Sequence, residues 1–139
     1  MLIVSLVSSA MLCGLIWFVQ VVHYPLFAEV GTAEFAAYHR RHLSRTTWVV
    51  APLMLLEAAT ACWLLWSPPA GMGLWVNGLQ WGLAGAVWGL TFFVQVPLHG
   101  RLSLGFDGAV IAQLVRGNVS RVVLWSGRVV LLAMWMLGG

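Results

Sequence analysis

LIVSLVSSAMLCGLIWFVQVV, from Leu2 to Val22, carries no charged side chain. A helix needs about 20 apolar residues to cross the hydrocarbon core of a bilayer, and this run supplies them. Working outward, three further apolar runs of similar kind lie at 48–66, 74–97 and 121–137. Over all 139 residues the hydrophobic fraction is 61% and the charged fraction 8%, against about 25% charged in a soluble domain. That leaves too little polar surface to face water, so lipid is the solvent for most of the chain. Backbone groups in lipid are satisfied only in helices or closed barrels, and these runs are continuous and too long for barrel strands. The expectation is an all-α integral membrane four-helix bundle, a single transmembrane domain over 1–139 with spans at 2–22, 48–66, 74–97 and 121–137. The first run lacks a basic leader and a small-residue cleavage site before a soluble domain, so it reads as a helix that stays. Cys13 and Cys62 fall inside apolar runs and read as buried thiols, not a disulfide.

All seven basic residues are arginine. Arg40, Arg41 and Arg45 precede the second span; Arg101 and Arg116 lie between the third and fourth; Arg121 and Arg128 fall at or inside the start of the fourth. The connection SPPAGMG, Ser67–Gly73, has no charge. The positive-inside rule therefore places the two arginine-bearing connections in the cytoplasm and both termini outside it. The arginines suit anionic lipid headgroups; they sit at membrane edges with no accompanying motif, which argues against nucleic acid. Thr32–Arg45 and Phe106–Asn118 carry helix-like spacing, with Thr32 and Asp107 as expected caps and Gly117 as an expected stop. They predict two short cytoplasmic interfacial helices, the first of which can run into the second span.

The first and third spans both end in FVQV, Phe18–Val21 and Phe93–Val96, followed by His23 and His99. Each following connection ends in Ser-Arg, Ser44-Arg45 and Ser120-Arg121, with a tryptophan beyond, Trp48 and Trp125. The order of features suggests a two-helix unit used twice, a parallel repeat about an axis along the membrane normal. Gln20 and Gln95 then lie at one depth, His23 and His99 at one level, and Pro25 and Pro97 stop or bend their helices.

This topology sets His23, His39, His42 and His99 on one side of the membrane, and His39 and His42 share a helix face. The plain reading is interfacial histidines bonded to water, headgroups or backbone. The sharper reading is a shared site: imidazole ligates zinc, copper or iron, so all four are candidate ligands of a transition metal. His23 and His99 are also a candidate bis-histidine pair for haem between the first and third spans. Glu57 lies about ten residues into the second span, where an unpaired carboxylate is costly, and Arg128 lies at similar depth in the fourth. Their ion pair is the structural reading; a reactive acid at the floor of a polar cavity is the functional one. Gly78, Gly82, Gly85 and Gly89 predict close helix packing. Trp17, Trp48, Trp66, Trp75 and Trp125 read as interfacial belt residues, whereas Trp63, Trp81, Trp88 and Trp135 are deeper and are candidates for an aromatic pocket.

QVPLH, Gln95–His99, followed by GNVSR, Gly117–Arg121, resembles the anthrone-oxygenase-like family of small four-helix membrane proteins. Those proteins carry an Asn-Val-Pro-Leu-Asn type motif at the end of the third helix and Asn-x-x-Arg before the fourth. Val96, Pro97, Leu98, Asn118 and Arg121 match; Gln95 and His99 stand where the family has asparagines. The resemblance covers the second half and the four-span layout, and suggests an uncharacterised bacterial branch in the inner membrane. It implies oxidation of an apolar substrate with His99 as base and Arg121 as oxyanion partner.

Three functions compete. One is a membrane oxidoreductase acting on an apolar small molecule, with His99, Glu57 and Arg121 as candidate catalytic residues. The second is a metal- or haem-binding protein using the histidines. The third is a non-enzymatic subunit of a homo-oligomer or larger membrane complex. A transporter is disfavoured because four helices make a thin pathway.

Overall fold

A computed structural model describes residues 1–138. Four helices, each long and apolar enough to cross a membrane, make up the bundle: α1 Leu2–Glu29, α2 Phe35–Trp66, α3 Leu74–Leu102 and α4 Gly108–Gly138. The chain is an all-α bundle of integral membrane character. Short connections make sequence neighbours antiparallel, and the helices close a ring in which α1 meets α2 and α4, and α3 meets α2 and α4.

Both arginine-bearing connections are helical, but neither is a separate short helix. The first is the opening of the continuous helix Phe35–Trp66 and the second the opening of Gly108–Gly138. Asp107 caps as expected, its Oδ1 accepting from the backbone N–H of Ala109 and Val110 at 3.0 Å each. Thr32 does not cap: Glu34 holds the cap position before Phe35, without a side-chain bond. Gly117 does not stop its helix, because there it serves a close approach: a Cβ at that position would lie 3.1 Å from Gln95 Nε2.

Neither Pro25 nor Pro97 ends its helix. A π-helical turn precedes each, Val19–His23 and Thr91–Gln95, and the chain continues helically through Tyr24–Leu26 and Val96–Leu102. Proline lacks an N–H and crowds the carbonyl four residues back; the widened turn absorbs that crowding, and such turns gather at functional sites. This device is common to both halves. Elsewhere the two units diverge. Arg45 is exposed where Arg121 is buried, and Trp48 is 81% exposed where Trp125 is 1%. Trp125 is therefore a core residue, not a belt residue.

The outer surface is apolar, with Ile3, Phe18, Leu55, Phe93 and Leu137 exposed, and Trp66 and Trp75 exposed beside the Ser67–Gly73 turn. That is the pattern a lipid environment requires. A Cβ on Gly78, Gly82, Gly85 or Gly89 would meet nothing within 4 Å. These glycines therefore do not bring the four helices together. The interior holds an apolar cluster, including Leu12, Phe27, Phe35, Leu102 and Leu114, and two polar regions described next.

Candidate functional site

The buried ion pair fixes the end of the bundle nearer the Ser67–Gly73 turn. Arg128 Nη1 donates to Glu57 Oε1 at 2.7 Å, and both side chains are fully buried. Glu57 also accepts from Ser9 Oγ at 2.9 Å and from Trp125 Nε1 at 3.0 and 3.1 Å. Arg128 further donates to Ser5 Oγ and Gln80 Oε1 at 3.0 Å each, to the Gln80 carbonyl at 3.2 Å and to Ser9 Oγ. One ion pair thus ties together all four helices: Ser5 and Ser9 from α1, Glu57 from α2, Gln80 from α3, Trp125 and Arg128 from α4. A fully bonded pair of this kind is the form in which charge is tolerated in a low-dielectric interior.

At the other end all four histidines come together. His39 Nε2 and His99 Nδ1 are 3.0 Å apart, and His99 Nε2 meets the Tyr24 hydroxyl at 2.9 Å. His39 Nδ1 reaches Ser103 Oγ at 3.2 Å, extending this chain toward the α3–α4 connection. A second chain joins His23 Nε2 to His42 Nδ1 at 2.8 Å, with Thr46 Oγ1 on the same His42 nitrogen at 3.1 Å. The chains lie side by side, with the His42 ring centroid 6.1 Å from those of His39 and His99. Phe27, fully buried, sets its ring edge-to-face against His23, His39 and His42 at 5.1–5.5 Å. The shared helix face of His39 and His42 was legible in their spacing; their meeting with His23 and His99 required the packing of α1 and α3 against α2.

Beside the histidines is a cavity of about 390 Å³ lined by residues from all four helices. Its walls are mainly apolar, with Leu12, Ile16, Val50 and Met54 among them, and Tyr24, His42, Gln95, His99 and Arg121 contribute polar groups. The exposed residues on its wall, Thr47, Leu55, Phe92 and Val96, come only from α2 and α3. The cavity therefore opens sideways between those two helices, toward the lipid.

Among the described residues, four buried side-chain atoms have no partner: Trp88 Nε1, Gln95 Nε2, Gln95 Oε1 and Arg121 Nε. All belong to residues on the cavity wall. Buried polar groups are nearly always bonded, and in this chain the exceptions gather around one cavity. Arg121 is held by Asn118 Oδ1 at 3.2 Å, and Asn118 Nδ2 in turn donates to Gln20 Oε1 at 2.9 Å. The Arg121 guanidinium also lies over the Trp125 ring, 5.0 Å from its centroid. The two glutamines of the repeated FVQV therefore have different tasks: Gln20 positions Asn118, and Gln95 faces the cavity.

The candidate residues thus separate. His99 and Arg121 line the cavity; Glu57 does not, and it reaches the cavity only through the Trp125 indole. Among the described residues, no three His, Cys, Asp or Glu side chains are arranged to hold a metal ion. His23 and His99, the candidate haem pair, point ring nitrogens at His42 and at Tyr24 and His39. Of the deeper tryptophans Trp88 lines the cavity, joined by Trp125. Sequence reasoning passed over Tyr24, although it stands beside His23 and one residue before Pro25; it follows the π-helical turn directly and is buried. No family model, curated protein or solved structure matches this chain.

Proposed function

We propose that this is a membrane enzyme that admits an apolar small molecule sideways from the bilayer and exchanges a proton with its polar end. The observation that carries the reading is the set of unpaired buried polar atoms on Trp88, Gln95 and Arg121 around one mainly apolar cavity. Sites for small molecules have this composition, apolar walls with a few convergent polar groups. His99 is the general base and acts through Tyr24: the Tyr24 hydroxyl on the cavity wall takes the substrate's proton as it passes its own to His99 Nε2, and the chain runs on through His39 to Ser103 toward the arginine-bearing end. Arg121 steadies negative charge on the substrate as the proton leaves. Glu57 is assigned to the ion pair that sets the helices in place.

The resemblance to the anthrone-oxygenase-like family supports the same roles. Arg121 lines the cavity and Asn118 positions it, and both match that family's pattern. In an oxidation of that kind the base removes a proton from the substrate, and the electrons pass to dioxygen as acceptor. The arginine-bearing end is assigned to the cytoplasm and the membrane to a bacterial inner membrane. Metal or haem ligation is the weaker reading, because both ring nitrogens of His39 and His99, with His23 Nε2 and His42 Nδ1, are engaged with one another and with Tyr24, Ser103 and Thr46.

The test uses 1-acetylpyrene, an apolar ketone, with the protein in phosphatidylcholine nanodiscs in D2O. Energy transfer from tryptophan reports occupancy, and mass spectrometry reports deuterium uptake into the acetyl group. Wild type is expected to bind and to accelerate uptake over empty nanodiscs. Ala51→Trp, which fills the cavity, should abolish both; His99→Gln should abolish uptake alone. Occupancy indifferent to Ala51→Trp removes the cavity from consideration, and binding without faster uptake removes the base.

A further inference from the structure

Arg121 and Arg128 lie two turns apart on α4, so they share its inner face, yet their surroundings are opposite. Arg128 has a carboxylate and four other side-chain or carbonyl oxygens around it. Arg121 is 5% exposed, and among the described residues no carboxylate lies within ion-pair distance of it. Among the described residues, no aspartate or glutamate lines the cavity. Asn118 takes one Nη1 bond, the Trp125 ring lies against the guanidinium, the neutral Tyr24 hydroxyl stands close to it, and Nε has no partner. A buried cation without an anion is costly in protein and more so in lipid. It persists where something outside the chain supplies the anion.

Donors predominate among the unpaired atoms: Arg121 Nε, Gln95 Nε2 and Trp88 Nε1 against the single acceptor Gln95 Oε1. The Nε edge of a guanidinium, with its adjacent Nη, is the edge that binds both oxygens of a carboxylate. Asn118 occupies Nη1 and leaves Nε open.

We infer that the cavity's ligand carries an anionic head of carboxylate type on an apolar body, with Arg121 as its counter-ion and Gln95 and Trp88 as further donors. This rests on the cavity reading above and narrows it to lipophilic acids. Gly117 belongs to the same construction, since any side chain there would press on Gln95.

The test compares 1-pyrenebutyrate with its methyl ester, which share an apolar body and differ in charge, in phosphatidylcholine nanodiscs at high salt. Tryptophan-to-pyrene energy transfer is the readout. A charge-assisted bond to a buried group predicts that wild type binds the acid roughly ten- to a hundredfold more tightly than the ester. Arg121→Gln should erase that preference, bringing the acid-to-ester ratio to about one. The acid-to-ester ratio on wild type stands by itself if Arg121→Gln does not fold. Equal binding of acid and ester, both sensitive to Ala51→Trp, overturns the anionic head and leaves the cavity standing. Binding of neither, or binding of both unaffected by Ala51→Trp, overturns the cavity and the inference with it. Repeating the titration with phosphatidylglycerol separates two sources of the anion. Competition that depends on Arg121 identifies a lipid headgroup; its absence identifies a free lipophilic acid.

Discussion

Replacing Glu57 with glutamine should destabilise the bundle more than replacing Glu57 and Arg128 together. Glu57 Oε1 accepts from Ser9, Arg128 and Trp125, and Oε2 accepts from Trp125 alone. A glutamine can keep its oxygen at the Oε1 position only by turning its amide N–H toward the Trp125 N–H. It also leaves Arg128 as a fully buried cation bonded only to neutral groups, Ser5, Ser9 and Gln80. Removing one member of a buried ion pair costs about 3–5 kcal/mol, a large part of the roughly 5–15 kcal/mol that holds a domain folded. In Glu57→Gln/Arg128→Gln no charge remains to be solvated, so the loss should be smaller than in either single variant. The assay is a double-mutant cycle by sodium dodecyl sulfate titration in mixed micelles, read by tryptophan fluorescence, with Trp125 against the carboxylate as the internal reporter. Losses that add within about 0.5 kcal/mol, or a Glu57→Gln variant as stable as wild type, would refute the argument that this pair ties the four helices together.

Two glycines of α4 separate helix propensity from site geometry. Alanine is favoured over glycine in a helix interior by about 0.8–1 kcal/mol. Gly127→Ala, whose Cβ meets nothing within 4 Å, should gain stability; Gly117→Ala should not, and should weaken acetylpyrene binding because Gln95 must move. Equal gains at both positions, with binding unchanged, would dissolve the link between Gly117 and Gln95. Tyr24→Phe should shift the ¹⁵N resonances of His99 and His39, which share its chain, and leave His23 and His42 close to their wild-type positions. Shifts of the same size in all four rings would show one network, not two. With Cys13 and Cys62 replaced by serine, a cysteine at Ala70 should react with an impermeant maleimide on intact cells, and one at exposed Leu104 only after lysis; the reverse pattern inverts the topology.

The two polar centres were unequally legible. Glu57 and Arg128 announced themselves because a charge deep in an apolar run has few affordable explanations, and similar depth on two helices makes a pair. Whether Glu57 also faced a cavity was not readable, since that depends on Trp125, whose place near an apparent span boundary suggested a belt. The histidines could be assigned to one end of the bundle from the order of spans and arginines. Their pairing could not, because it joins residues from α1, α2 and α3 whose relative rotation is set by side-chain packing. The prolines were read as stopping or bending their helices, and neither stops one. A widened turn upstream can absorb the crowding that proline causes, and composition does not say when it will.

Sequence alone determined the solvent and the architecture. Continuous apolar runs with few charges leave lipid as the medium, and lipid leaves helices as the solution for backbone polar groups. Tertiary structure alone decided which buried polar groups satisfy one another and which are left to meet a ligand. Arg121 and Arg128 are alike in sequence, two arginines on one helix face, and only the helices packed against them give one a carboxylate and the other an open cavity.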